Sequence, residues 1–298
     1  YTTYRRGIKV KIKKAVIPAA GFGTRVLPAT KSVPKEMFPI VDKPAIQYIV
    51  EEAVNSGITE ILIVIGRGKE AIENYFDRSP ELEIALEDKG KKSLLESVKK
   101  ISKMANIYFV RQKEMKGLGH AVGRAKAFVG NEPFAVLSGD DIIYSHKPVC
   151  MQLIEAFNEF NLPVVAAHEM PEEEMHKYGS LKVNCIRDNL FMCTDMVEKP
   201  TPDKVLSLYS VLGRYILTPE IFDILDNTLP GTGGEIQLTD ALKVLSHKNG
   251  VIMVDFEGKR YDIGNKLGAM QANVEFSLKH PEISESFKNY IKELSEKL

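Results

Sequence analysis

The residues best suited to chemistry in this chain fall where strand-like runs end. Gly21-Phe22-Gly23-Thr24-Arg25 follows the short β-branched run Ala15–Pro18. Two glycines let a backbone approach a ligand closely and aim its N–H groups at an anion. Thr24 adds a hydroxyl, and Arg25 a forked cation suited to phosphate. Lys31 and Lys35 follow in a stretch broken by Pro28, Pro34, Pro39 and Pro44. That spacing forbids a long helix and predicts a fixed irregular loop, the kind of segment where functional residues concentrate. Arg25 and Lys35 together suit a triphosphate, whose departing pyrophosphate gathers negative charge. Neither common phosphate fingerprint is present. Val26 stands where a dinucleotide GxGxxG needs glycine, and no GxxxxGK followed by Ser or Thr occurs.

Asp140 and Asp141 close a second apolar run, Phe134–Ser138. Two adjacent carboxylates at a partly desolvated strand end repel each other, and a hard cation would relieve this. Mg²⁺ takes carboxylate and phosphate oxygens. Asp262, in Arg260-Tyr261-Asp262-Ile263-Gly264, is the second candidate ligand. Neighbours on an extended chain point opposite ways, so Asp141 is not expected to share the metal. A turn pair or helix cap is the plainer reading of Asp140-Asp141 alone. Gln112 ends a third run, Ile107–Val110, with Gly117 five residues on. An amide carries both donor and acceptor, which suits a pyrimidine edge. Glu198-Lys199-Pro200 ends a fourth; a carboxylate accepts from vicinal hydroxyls and an ammonium suits a phosphate. Taken alone, Gln112 reads as a solvated side chain and Glu198–Lys199 as a surface pair. The six histidines show no HxH or HExxH spacing, which gives no support to zinc chemistry or a histidine-based triad.

These groups need a sheet to hold them. Apolar runs at Ala15–Pro18, Ile61–Ile65, Ile107–Val110, Phe134–Ser138 and Pro163–Ala167 alternate with helical patterns at Pro44–Asn55 and Gly119–Phe128 and a charged helical region reaching Met104. Unbroken apolar strands separated by helices predict a mostly parallel sheet covered on both faces. From Ser180 the pattern becomes strand-rich: Ser180–Asn184, Thr194–Glu198, Val211–Leu217 and Val251–Phe256 fit an antiparallel extension or a mixed sheet. In the tail, Glu282–Leu298, the residues Ile283, Phe287, Tyr290, Ile291, Leu294 and Leu298 make one stripe of a helix, with Pro281 placed to start it. The basic residues 1–13 are expected to be a frayed or vector-derived extension rather than a nucleic-acid arm, residues 14–280 one domain, and residues 281–298 a helical appendage.

Composition narrows the class. Hydrophobic residues make up 44% of the 298 and charged residues 27%, with 40 basic and 40 acidic side chains. That is the balance of a folded globular chain, and zero net charge speaks against nucleic-acid partners. No apolar run reaches the ~18 residues of a membrane span, and no leader pattern opens the chain. Three cysteines without a CxxC read as reduced thiols, packing residues of a cytoplasmic protein. The Lys-rich stretch Lys89–Lys103 alternates with acids and reads as a solvated helix face.

The string AAGFGTRVLPATKSVPKEMFPIVDKPAIQYIVEEA, then RQKEMKGLGHAV, LSGDDI, YGSLKV, MVEKP, GRYILTPEIF, GTGGEIQLTDAL and YDIGNKLG, resembles the bacterial UTP–glucose-1-phosphate uridylyltransferases in order over roughly residues 14 to 290. LPATK with PKEM marks that branch of the sugar-nucleotide pyrophosphorylases; the SGDD here stands where the family more often has PDD. The resemblance implies an α/β nucleotidyltransferase version of the Rossmann-like fold, with a mixed, mostly parallel sheet, an antiparallel extension and a C-terminal helix. It implies Mg²⁺-dependent, in-line attack of α-D-glucose 1-phosphate on UTP, giving UDP-glucose and pyrophosphate. Carried onto this chain, Ala20, Gly21, Gly23, Thr24, Arg25 and Lys35 hold the nucleotide, and Gln112 and Gly117 the uracil. Gly179, Glu198, Lys199 and Glu235 face the sugar phosphate, Asp140 and Asp262 hold Mg²⁺, and Arg25, Lys35 and Lys199 neutralise charge. For Glu235 the alternative is a helix start capped by Thr239 or Asp240. The family also implies a homodimer or dimer-based tetramer. Two alternatives stay open: a relative using dTTP or another sugar, and an inactive sugar-nucleotide-binding regulator. The missing third glycine disfavours a nicotinamide-dependent dehydrogenase.

Overall fold

The computed structural model describes residues 10–297. Its centre is a nine-stranded sheet. The strands are β1 (Lys14–Ala19), β2 (Glu60–Ile65), β3 (Asn106–Arg111), β4 (Phe134–Leu137), β6 (Val164–Glu169), β7 (Gly179–Arg187), β8 (Leu190–Glu198), β9 (Tyr209–Leu217) and β10 (Val251–Asp255), in the order β3-β2-β1-β4-β9-β6-β10-β8-β7. All run in one direction except β9 and β8, which lie antiparallel to their neighbours. A separate antiparallel ribbon joins β5 (Asp141–Tyr144) to β11 (Lys259–Asp262), with Asp141 opposite Asp262.

Alternate residues of a strand face opposite ways. Thus Ile17 and Ile63 enter one apolar layer while Val16 and Leu62 enter the other. Helices α1 (Ala45–Asn55), α2 (Glu70–Phe76) and α7 (Val149–Phe160) close the first face through Ile46, Ile49, Ile72 and Leu153. The second is closed by α5 (Leu118–Gly123), α6 (Lys126–Val129), α8 (Glu220–Asn227) and α9 (Leu238–Lys248), through Val122, Val129, Phe222 and Leu242. Because both faces are covered, the strands read as continuous apolar runs rather than alternating ones. The charged region reaching Met104 holds α2, α3 (Pro80–Asp88) and α4 (Lys92–Ile101); α4 buries only Leu95 and leaves its lysines outside.

The structure corrects several expectations. The single helix over Gly119–Phe128 is two, broken at Arg124-Ala125. Of the basic extension, residues 1–9 lie outside the described residues, but Val10 to Lys13 are docked: the Val10 N–H donates to Asn158 Oδ1 at 2.7 Å and Ile12 is buried. The tail helix α11 spans Ser284–Ser295, after α10 (Lys266–Ser277). Pro281 falls in the turn before it rather than at its first position, because the Ser284 N–H is taken by the His280 carbonyl. No residue of α11 is buried; Phe287 and Ile291 are half-covered and Tyr290 is exposed. Leu298 lies outside the described residues.

The middle of the sheet carries a buried ion pair. Strand β9 slips register between Val211 and Tyr215 at Gly213, which sits at φ 58°. The slip turns Arg214, 1% exposed, inward onto Glu52 of α1, with Nη2 to Oε2 at 2.7 Å. Burial alone would lower this guanidinium's pKa; the Glu52 carboxylate overturns that and raises it. Arg214 Nη2 also donates to the Asp141 carbonyl at 2.7 Å, and Glu52 Oε1 accepts the Cys150 N–H of α7 at 3.0 Å. One buried pair thereby fixes the backbone at the start of β5 to two helices.

Candidate active site

Strands β1, β3 and β4 share a direction, so their carboxyl ends bring Ala20, Gln112 and Ser138 to one edge of the sheet, where open α/β folds bind ligands. A cleft of about 480 Å³ opens there. Its lining includes Ala20, Gly21, Gly23, Thr24 and Lys35 from the glycine loop, Gln112 and Gly117 after β3, and Asp140 and Glu235. A larger groove of about 840 Å³ beside α1 and α4 contains none of these residues.

The glycine loop is held by short 3₁₀ turns over Thr24–Val26, Ala29–Lys31 and Lys35–Met37. Gly23 takes φ 68°, and a β-carbon there would lie 2.9 Å from Thr30 Cγ2, so no side chain fits. Thr30 Oγ1 donates to the Gly23 carbonyl at 2.9 Å and ties the loop to itself. Lys35 reaches Asp140 Oδ2 in a part-buried ion pair. Burial would lower the lysine's pKa, but Asp140 and then Glu36 raise it above its ordinary value. Burial would raise Asp140, yet Lys35, with Arg25 and Arg260 behind it, holds that carboxyl below its ordinary value. Both groups are therefore charged at neutral pH. Glu36, fully buried, is paired with Lys69 at 2.5 Å just ahead of α2, which ties the Lys35 turn to the loop between β2 and α2.

Arg25 stands outside the cleft lining and is half-exposed, with Nη1 3.1 Å from Asp262 Oδ2. A β-carbon placed on Gly264 would sit 2.5 Å from Arg25 Nη2, 2.8 Å from Asp262 Oδ1 and 2.9 Å from Asp140 Oδ2. The two acids and the arginine thus converge on one space. The ribbon achieves this: Asp262 faces Asp141 in register, and the Ile263 N–H donates to the Asp140 carbonyl at 3.1 Å. Asp141 is engaged by Arg260. It meets Arg260 Nη2 at 2.6 Å, a close ion pair whose angle leaves Oδ1 without an aligned hydrogen bond. Burial raises its pKa, with Arg260 opposing.

Gly179 and Glu198 lie directly opposite in the β7–β8 hairpin. Glu198 Oε2 accepts from Thr239 Oγ1 at 2.6 Å, and burial raises the carboxyl above its ordinary pKa. Lys199 follows in the left-handed region at φ 45°, its N–H on the Tyr178 carbonyl at 3.0 Å and its ammonium 3.8 Å from Glu198 Oε1. These three residues do not line the 480 Å³ cleft. Glu235, expected with them, sits beside Gly117: a β-carbon on Gly117, at φ 96°, would meet Glu235 Cβ at 2.7 Å. Helix α9 starts at Leu238 with no side-chain cap, so neither Thr239 nor Asp240 plays that part.

Sequence reasoning missed the supports: Glu52–Arg214, Glu36–Lys69, Arg260 and His120. Arg260 has one visible signal, its place two residues before Asp262 on the same strand face. Arg260 Nη1 donates to Tyr178 Oη at 3.2 Å and so links the acids to the Glu198 hairpin.

Residues 14–277 match the Nucleotidyl transferase family profile. The chain is 52% identical over 284 residues to a UTP–glucose-1-phosphate uridylyltransferase of Staphylococcus epidermidis, covering 95% of this chain and 99% of that one. The chain belongs to the nucleotidyl transferase family, among its UTP–glucose-1-phosphate uridylyltransferases. A Bacillus subtilis uridylyltransferase is 50% identical over 287 residues, covering 96% and 98%. Among solved structures, a UTP-bound UDP-glucose pyrophosphorylase of Acinetobacter baumannii aligns with TM-score 0.88 at 40% identity, covering 95% of this chain and 99% of that one. A UDP-glucose pyrophosphorylase complexed with UDP-glucose aligns with TM-score 0.83 at 44% identity, covering 90% and 100%. The mixed sheet and its antiparallel additions are the nucleotidyltransferase fold of this uridylyltransferase group.

Proposed function

We infer that this chain transfers the uridylyl group of UTP to α-D-glucose 1-phosphate, releasing pyrophosphate and UDP-glucose. The observation that carries the reading is one cleft lined by the glycine loop, Lys35, Asp140, Gln112 and Gly117. In it, the backbone of Gly21 and Gly23 with Thr24 receives the phosphates, and Gln112 and Gly117 receive uracil. Glu198, with the Gly179 backbone, accepts from the sugar hydroxyls, while Lys199 faces the sugar phosphate. Glu235 packs against Gly117, and its charge reaches the Glu198 carboxyl. The sugar phosphate is already ionised, so no protein nucleophile is required. Its oxygen attacks the α-phosphorus in line, and pyrophosphate leaves. Lys35 and Arg25 stabilise the charge that gathers on the leaving group, and Lys199 holds the attacking phosphate in position.

Asp140 and Asp262 fit a Mg²⁺ ion. No group of three or more metal-ligating side chains occurs among the described residues. Two convergent carboxylates are the donor set expected of an ion that takes its remaining oxygens from substrate phosphates and water. Such an ion would neutralise phosphate charge. The exposed stripe of α11 supports a homodimer, alone or as half of a tetramer, closed by a two-fold contact. Unpaired Cys150, Cys185 and Cys193 support a cytoplasmic setting, and no helix among the described residues is long and apolar enough to cross a membrane. Pyrophosphate release from UTP, dTTP, ATP and GTP with several sugar 1-phosphates tests the reading. UTP with glucose 1-phosphate should be the fastest pair; preference for dTTP or another sugar would overturn it.

A further inference from the structure

Gln112 is 4% exposed, and its amide has little freedom. Its backbone N–H donates to the Ile65 carbonyl at 2.9 Å, which anchors the residue to β2. Its Nε2 donates to the Gly117 carbonyl at 3.1 Å and lies 2.9 Å from His120 Nδ1. A carbonyl oxygen only accepts, so the amide nitrogen, not the oxygen, must face Gly117. Both Nε2 hydrogens are then spent, one on Gly117 and one on the histidine. Oε1 has no protein partner among the described residues and is not sealed from solvent. It is the atom left for a ligand.

His120 can accept only while Nδ1 is bare. Its pKa is lowered, first by burial and then by the charges of Lys116 and Arg124, with Glu114 opposing. Lys113 also lines the small hollow around the ring. The ring is thus neutral near pH 7 and carries its proton on Nε2.

We propose that His120 is a positioning residue for base selection, locking the Gln112 amide so that its oxygen, and only its oxygen, meets the pyrimidine. The inference rests on the reading that Gln112 receives the base. An acceptor fixed at that point pairs with the N3–H of uracil and repels the bare N3 of cytosine. An unlocked amide turns over and offers N–H, which cytosine accepts. The Gly117 carbonyl opposes that turn with one hydrogen bond, and His120 adds the second.

The test compares UTP with CTP in initial-rate kinetics. His120→Leu should raise the KM for UTP about tenfold, the worth of one net hydrogen bond, with little change in kcat, and cut the UTP-over-CTP ratio of kcat/KM at least as much. His120→Asn, whose Oδ1 keeps an acceptor near the Nδ1 position, should retain most of the preference. Protonation of His120 makes Nδ1 a donor, so wild-type affinity for UTP should fall on acidification through the imidazole range. His120→Asn should lack that limb, while the titration of UTP itself stays common to both. Gln112→Ala separates the layers: if it leaves base preference unchanged, the underlying reading fails. If Gln112→Ala destroys the preference while His120→Leu keeps both the preference and the KM, the positioning role is overturned. Should His120→Leu not fold, identical acid limbs in wild type and His120→Asn would overturn it equally.

Discussion

Replacing Lys69 by methionine should cost the fold most of one buried ion pair, and the cost should depend on pH in a definite way. Glu36 is 0% exposed, with Oε2 on Lys69 at 2.5 Å and Oε1 without a hydrogen-bond partner. Removing one partner of such a pair leaves a buried charge, typically about 3–5 kcal/mol. The carboxyl has an escape, which is to bind a proton. Protonating an ordinary glutamate of pKa about 4.3 at pH 7 costs about 4 kcal/mol and caps the charge penalty there. The cap falls by about 1.4 kcal/mol for each pH unit below 7.

Burial already raises Glu36 above its ordinary value even with Lys69 beside it, and Lys69→Met raises it further. A carboxyl whose folded pKa lies above its unfolded one binds more protons when folded. Stability therefore falls as pH rises through the window between the two values. Urea unfolding from pH 5 to 8 should show Lys69→Met about 3–4 kcal/mol less stable than wild type at the upper end and nearly level with it at the lower. Adding Glu36→Gln should recover most of the loss and flatten the profile, since the paired deletion leaves no charge behind. A loss below about 1 kcal/mol at pH 8, or one that does not vary with pH, would refute the reasoning.

Asp140→Asn and Asp262→Asn should each lower kcat/KM by at least about a hundredfold across a Mg²⁺ titration, with thermal unfolding little changed; normal turnover at ordinary Mg²⁺ in either would remove the metal assignment. Lys35→Ala should chiefly lower kcat/KM for UTP and Lys199→Ala that for glucose 1-phosphate, each by about 3 kcal/mol, and the same defect on the same substrate would contradict the division. Glu198, raised by burial, should protonate on acidification before an ordinary carboxyl does, so the KM for glucose 1-phosphate should climb more steeply with acidification in wild type than in Glu198→Gln, the titration of the sugar phosphate itself being common to both. Truncation from Pro281 onward should leave a folded chain that sediments as a monomer or a weakened dimer; intact protein sedimenting as a monomer at micromolar concentration would refute the dimer.

What the sequence disclosed and what it hid have the same physical origin. Ile61–Ile65 is legible because a strand buried on both faces must be apolar at every position, and periodicity needs no partner to be seen. The glycine loop is legible because φ 68° at Gly23 and four prolines leave a local imprint. The ribbon that brings Asp140 and Asp262 together leaves no such imprint. Its strands, Asp141–Tyr144 and Lys259–Asp262, are four residues each, half polar, and pair across more than a hundred positions. Only the resemblance joined the two acids beforehand. The buried ions follow the same rule. Glu36 and Lys69 are 33 residues apart, Glu52 and Arg214 162, and each alone reads as a solvated charge. Each instead sits where loop backbone must be held beside the candidate cleft. A purely apolar core there would leave the Cys150 N–H and the Asp141 carbonyl unpaired. The charges that the composition counts as surface are, at this edge, what keeps the site's backbone in place.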